Sequence, residues 1–240
     1  VTAVFEKSAD YYDAIYTTRK DYALESERLR ALIREHKRSD GTALLDVACG
    51  TAIHIGYLRR DFAVEGLDLD PRMLAVARRK HPDITFHQAS MVDFDLGRQF
   101  DAVVCLFAAI AYALTVPRLR QTLGTLARHT RPGGVVIVEP FIAPERWIDR
   151  HVGADFVDEP ELKIARMVAP RRDGATAILD FHFLVATPDG VKHFTERHDL
   201  ALFTHAEYLD AFRGAGLTPV HDPEGLMGRG LYIGVKPDAA

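Results

Sequence analysis

An apolar run that ends in an acid and then in small residues, Ala43-Leu-Leu-Asp46-Val-Ala48-Cys49-Gly50-Thr51, is followed about twenty residues later by a second apolar run closing on Asp68. In an open α/β sheet, ligands dock at the carboxyl ends of the strands. There a small-residue turn admits backbone N–H groups to the ligand, and an acid on the second strand accepts from a ribose diol. Gly50 would allow the close approach and Asp68 would make the ribose contact. The turn lacks the three spaced glycines that admit a pyrophosphate, because Ala48, Gly50 and Ala52 hold those small positions and Asp46 ends the strand. A carboxylate beside the ligand opposes a diphosphate and favours a cation, an ammonium or a sulfonium. The plain alternative is a strand–turn–helix with incidental small residues.

Hydrophobic periodicity supplies the elements that would position these groups. Residues 3–16 are helical and aromatic-rich, and 21–37 form a charged amphipathic helix with Leu24, Leu29, Leu32 and Ile33 apolar. Strands are expected near 43–47, 63–67, 83–87, 100–104 and 133–138, with helices near 53–60, 71–80 and 117–129 between them, so the sheet is doubly wound and parallel. Asp70-Pro71 reads as an N-cap with a first-position proline, and Arg131-Pro-Gly-Gly134 as a helix stop and turn into the fifth strand. The pattern then changes to extended segments at 161–169, 175–186 and 191–203, joined at Arg172-Asp-Gly174 and Pro188-Asp-Gly190. These predict a small antiparallel sheet inserted over the site. A helix at 205–215 and a hairpin of 217–221 with 230–236 would complete seven strands. The expected division is a helical lid over 1–38, an α/β core over 39–140 and 204–240, and an inserted cap over 141–203.

The chain has 240 residues, enough for one α/β domain with an insertion, and its 48% hydrophobic and 27% charged content is that of a globular domain. A formal net charge of −4 argues against nonspecific nucleic-acid binding. No stretch approaches a membrane-spanning length, and the first ten residues carry Glu6, Lys7 and Asp10, so neither a membrane nor a secretory leader is expected. Cys49 and Cys105, placed at ends of buried strands, suit a reducing, cytoplasmic compartment. No His/Cys cluster has metal-ligand spacing.

The run from Asp46 to Thr51, with Val64-Glu-Gly-Leu-Asp68-Leu-Asp-Pro-Arg-Met73 after it, resembles the first motif and downstream acid of class I S-adenosylmethionine-dependent methyltransferases. Asp10-Tyr-Tyr12-Asp-Ala-Ile-Tyr16, Lys20-Asp-Tyr22, Phe100-Asp-Ala-Val103, Pro132-Gly-Gly-Val135, Val138-Glu-Pro140 and Gly228-Arg-Gly-Leu231 extend the match over nearly the whole chain. Together they resemble the N,N-dimethyltransferases of TDP-linked amino sugars, of the desosamine and mycaminose type. The resemblance implies a Rossmann-like fold, S-adenosylmethionine as cofactor, a TDP-amino sugar as partner, and compatibility with a homodimer. Ala52 departs from the family's third glycine, at little cost if its φ is negative. Ser90 stands where an acid commonly meets the adenine amino group, leaving a hydroxyl and the backbone at Met91 to read that edge.

The resemblance implies roles for further residues. Asp46, Ala48, Gly50, Asp68, Leu69, Met73, Ser90, Met91 and Leu106 would line the cofactor site, with Tyr16, Lys20 and Tyr22 reaching its carboxylate. Tyr12, on the N-terminal helix, would orient the acceptor. Tyr112 lies after strand four, where the sugar enzymes tend to carry a histidine. Glu139 ends the fifth strand and is expected to face the crevice and bond an acceptor amine or hydroxyl. Arg166 and Arg229 are candidates for a diphosphate clamp, because guanidinium forks match phosphate oxygens. Trp147 is a candidate for stacking on a thymine-like base, and His182, with His193 and His198, for lining the cap. Two alternatives stay open on the residues alone: a small-molecule O-methyltransferase, which needs a stronger base, and an inactive S-adenosylmethionine-binding module.

Overall fold

The computed structural model describes residues 4–238. A short 3-10 turn at Ala9–Tyr11 leads into α1 (Tyr12–Tyr16), and α2 (Tyr22–His36) follows, capped by the Asp21 carboxylate, which accepts from the Leu24 N–H. The alternating part runs β1 (Ala43–Val47), α3 (Ile53–Leu58), β2 (Ala63–Asp68), α4 (Pro71–Lys80), β3 (Phe86–Gln88), β4 (Phe100–Cys105), α5 (Val116–Arg128) and β5 (Thr130–Val138). After the cap strands come α6 (His205–Gly214), β11 (Thr218–Asp222) and β12 (Leu231–Val235). The seven-stranded sheet has the order β11-β12-β5-β4-β1-β2-β3, antiparallel only where β12 meets β11 and β5. All six residues of β4 are buried, as a central strand covered on both faces requires.

The helix starts follow their capping residues. The Asp70 carboxylate accepts from the Arg72 N–H with Pro71 opening α4, and Thr204 with Glu207 forms a reciprocal capping box on α6. Leu29, Leu32 and Ile33 of α2 pack with Leu44 and Ile55 in the core on one sheet face; α5 and α6 fill the other face. At about 1.5–3 kcal/mol for each buried side chain, α2 is part of the sheet layer. The expected lid over 1–38 thus includes a helix, α2, that packs in the core. The first three and last two residues of the expected lid and core lie outside the described residues.

The inserted sheet is larger than the sequence suggested. Its order is β10 (Gly190–Ala201), β9 (Thr176–Thr187), β7 (Leu162–Val168) and β6 (Gly153–Glu159), with β8 (Arg171–Asp173) paired to β9. β6 has no apolar alternation to announce it, since Asp155, Asp158 and Glu159 punctuate it, yet it pairs with β7 along its whole length. The expected strand at 83–87 is only β3, because Pro82 and Asp83 turn before it. β5 starts at Thr130, through a bulge at Arg131-Pro-Gly-Gly134 that shifts its register on β4 between Phe100 and Ala102. Residues 9–16 are a 3-10 turn plus a short helix and not one continuous helix.

Candidate active site

Three left-handed residues shape the turn after β1: Ala48, Gly50 and Ala52, with φ of 58°, 56° and 63°. The expectation of a negative φ at Ala52 is overturned. Its methyl is fully buried in the core beneath α3, so the side chain contributes packing that offsets part of the roughly 1–2 kcal/mol strain of the left-handed backbone. A Cβ added at Gly50 would meet only the Met73 Cε, at 3.7 Å, so that side of the turn is open. The Gly50 N–H donates to Asp68 Oδ2 and the Asp70 N–H to Asp68 Oδ1, both at 2.8 Å. These bonds hold the carboxylate at the carboxyl end of β2 with lone pairs to spare.

Burial pushes Asp68 up to about 6, against the pull of the Asp70 and Gly50 N–H donors. Burial and the neighbouring Asp68 push Asp46 up to about 8. Two acids raised in this way, at an open turn, fit a ligand that brings positive charge. Asp46 lines a cavity of about 40 Å³ with Tyr22 and His54, sharing Tyr12, Gly50 and Phe107 with the main cavity. The main cavity has a volume of about 750 Å³. Ala48, Asp68, Leu69, Met73, Ser90, Met91 and Leu106 line its inner end, and the Ser90 Oγ accepts from the Val92 N–H at 3.2 Å.

Lys20 also lines the main cavity but does not stand as a lone cation. Its Nζ lies 3.0 Å from Glu25 Oε2, and the same oxygen is 3.0 Å from His54 Nε2. The ammonium sits 3.7 Å over the Phe107 ring. Burial lowers the Lys20 pKa, with Glu139 and Glu25 opposing. Glu25, His54 and Phe107 were not anticipated. A buried charge on an otherwise amphipathic helix, Glu25, was the one available signal.

The outer half of the cavity is aromatic. Tyr12 and Tyr16 lie 4.4 Å apart between ring centroids, Phe5 closes edge-on against Tyr12, and Tyr16 abuts Phe107. The Tyr112 hydroxyl is 2.5 Å from His198 Nδ1. Trp147 lines the cavity with its Nε1–H donated to Asp149, and Arg229 lies 5.4 Å over the Phe107 ring with no acid partner among the described residues.

Arg166 is 4% exposed and lines the main cavity with its Nε and Nη2 donating to Asp155 and its Nη1 to the Tyr16 hydroxyl, so three of its five N–H donors are engaged inside the protein. Two expectations are corrected here. His182 points to the outer face of the cap sheet, where it stacks on His193; strand alternation puts Phe181 and His198 on the cavity side instead. Glu139 is fully buried and does not face the crevice. Its Oε2 accepts from the Phe107 N–H at 2.7 Å, fixing a turn whose Phe107 and Ala108 are left-handed, and its Oε1 has no partner. No group of three or more metal-ligating residues occurs among the described residues.

The sheet order, the acid pair and the continuous cavity define a methyltransferase that uses S-adenosylmethionine. Residues 44–134 match the family model of a methyltransferase domain. The chain is 42% identical, over 95% of its length and 97% of the relative's, to the dTDP-3-amino-3,4,6-trideoxy-alpha-D-glucopyranose N,N-dimethyltransferase of Streptomyces venezuelae. The crystal structure of Streptomyces venezuelae DesVI superposes with a TM-score of 0.91 at 41% identity, covering 96% of this chain and 98% of that one. S-adenosylmethionine-bound CalS10, an amino pentose methyltransferase from Micromonospora echinaspora, gives 0.85 at 36% identity, covering 98% and 99%. The chain belongs to the family of TDP-amino-sugar N,N-dimethyltransferases.

Proposed function

We propose that this enzyme transfers methyl groups from S-adenosylmethionine to the amine of a TDP-linked amino sugar made for a natural product. The observation that carries the reading is the main cavity, which runs from Asp68 and Ser90 past Tyr12 and Tyr112 to Trp147 and Arg229. It offers room for a nucleoside cofactor and a nucleotide sugar end to end. S-adenosylmethionine supplies the methyl group as an electrophile on a sulfonium. Asp68 would hold the ribose, Ser90 and the Met91 backbone the adenine, and Asp46 the positive end, with Tyr22 and the Lys20–Glu25 pair beside it.

Methyl transfer to a neutral amine moves positive charge without creating it, so alignment and exclusion of water supply most of the acceleration. Tyr12 would orient the acceptor nitrogen, Phe5 and Tyr16 exclude water, Trp147 stack on the thymine and Arg229 meet the diphosphate. The O-methyl reading finds no support in the side chains. A hydroxyl needs a base as it attacks, whereas Glu139 is buried off the cavity and burial holds His198 down to about 4.

A cytoplasmic location suits two free thiols, Cys49 and Cys105. No helix of the described residues is long and apolar enough to cross a membrane. The outer face of the cap sheet exposes Phe156, Met167 and Leu184, and we place a homodimer contact there. The test of function compares a TDP-amino sugar with its phosphate-free sugar. The nucleotide form should be turned over far better, because remote binding must position the single amine; equal rates would refute a nucleotide-sugar acceptor.

A further inference from the structure

Tyr112, from the 3-10 turn Ala109–Ala113, and His198, from β10, meet at 2.5 Å across two different layers of the fold. His198 is 4% exposed, with its ring edge-on to Phe5 at 4.9 Å and to Phe181 at 5.3 Å. We propose that His198 is a positioning residue that draws the hydroxyl proton of Tyr112 onto its own Nδ1, so that Tyr112 meets the acceptor amine with oxygen lone pairs only. This rests on the reading that an amine is the acceptor.

A phenol carries one proton and two lone pairs, and a neutral imidazole one donor and one acceptor nitrogen. The charged groups around the ring are Arg166 on β7, which lies over Phe181 at 4.7 Å, Asp199 next in the chain, and Glu196 two residues before. Glu196 is occupied by the Lys7 and Ser8 N–H groups. Burial and then Arg166 keep the imidazole neutral, with Asp199 opposing, while burial keeps the Tyr112 phenol protonated. In this proposal the imidazole proton sits on Nε2, which leaves Nδ1 as the acceptor of the phenolic proton.

Without that acceptor, a phenol in an apolar cavity would donate to the best lone pair available, that of the amine. A lone pair held in a hydrogen bond must be released before it can attack. With His198 in place the direction reverses: the amine N–H donates to Tyr112 Oη, which leaves the nitrogen lone pair free to face the methyl group. His198 does not act as the base, since an imidazole held this far toward its neutral form takes up the released proton poorly.

The test uses the full chain with S-adenosylmethionine and dTDP-3-amino-3,4,6-trideoxy-alpha-D-glucopyranose, the sugar named for the Streptomyces venezuelae relative. His198→Leu should lose roughly tenfold or more in kcat with KM unchanged or lower, because the amine still binds but in a misdirected hydrogen bond. His198→Gln, whose carbonyl accepts the phenolic proton, should recover most of the rate, with the acid limb of the pH profile unmoved. Adding Tyr112→Phe to His198→Leu should raise the rate to that of Tyr112→Phe alone, since the misdirected hydroxyl is gone. Calorimetry with S-adenosylhomocysteine checks each variant's fold, and His198→Met replaces His198→Leu if the latter does not bind. The role falls if His198→Leu keeps its kcat, if His198→Gln is as slow as His198→Leu, or if the double variant gains nothing. A wild-type enzyme that methylates none of the TDP-amino sugars named for its relatives would overturn the functional reading itself, and this inference with it.

Discussion

Asp155 accepts from Nε and Nη2 of Arg166 at 2.8 and 2.5 Å, and so engages within the protein one of the two guanidinium groups that the sequence offered for a diphosphate. Asp155→Ala should strand a buried charge and lower stability by about 3 kcal/mol or more, read as a fall in Tm. Arg229→Ala should leave Tm unchanged and lower kcat/KM for the TDP-linked sugar by about 1.5–3 kcal/mol, the range of a lost charged hydrogen bond. If Arg229→Ala is fully active, the diphosphate is held elsewhere.

Asp46 should make the ligand-free protein less stable as pH rises. Its folded pKa of about 8 lies above the ordinary carboxylate value of 3.8, so the folded chain keeps a proton that the unfolded chain has lost. Stability from this group is full below that ordinary value and is lost on the way up to about pH 8. Asp46→Asn should therefore stabilise the ligand-free protein by a margin that grows from pH 5 to pH 8, reaching about 1 kcal/mol or more at the top and read as a rise in Tm. It should also weaken S-adenosylmethionine binding. Asp68→Ala should weaken that binding by about 1–3 kcal/mol. Unchanged affinity in both variants, measured by calorimetry, would contradict the cofactor site.

Residues 4–16 should be needed for transfer and dispensable for folding of the seven-stranded sheet, although Ile15 packs against the cap strands. The Phe5 N–H donates to Asp70 at 3.3 Å, and Glu196 takes the Lys7 N–H at 2.6 Å and the Ser8 N–H at 3.0 Å, so the segment is tied at both sides of the cavity. Deleting residues 1–16 removes Phe5 and Tyr12 but leaves the α2 core intact. Circular dichroism should keep the signature of the folded α/β sheet while turnover is lost; full turnover would remove the lid role and that of Tyr12.

The parallel sheet was legible because each of its strands is an apolar run bounded by a cap or a turn, such as Asp70-Pro71 before α4. The turn after β1 was legible because Asp46, Gly50 and Asp68 stand close to one another in sequence as well as in space. β6 was hidden, since an edge strand carrying Asp155, Asp158 and Glu159 has no apolar face to count. The roles of Arg166, Glu139 and His182 depended on which way a side chain faces. Arg166 turned inward because β6 supplied Asp155, the very strand the pattern concealed. The Tyr112–His198 pair joins residues 86 apart in the chain, and no local spacing records such a contact.

The most direct test of the account follows an isotope-labelled methyl group from S-adenosylmethionine into a TDP-linked amino sugar, with the product read by mass spectrometry and NMR. The label is expected on the sugar nitrogen, as one or two methyl groups, with S-adenosylhomocysteine formed in equal amount. A label on a sugar oxygen, or S-adenosylmethionine bound but never consumed with any TDP-amino sugar, would contradict it.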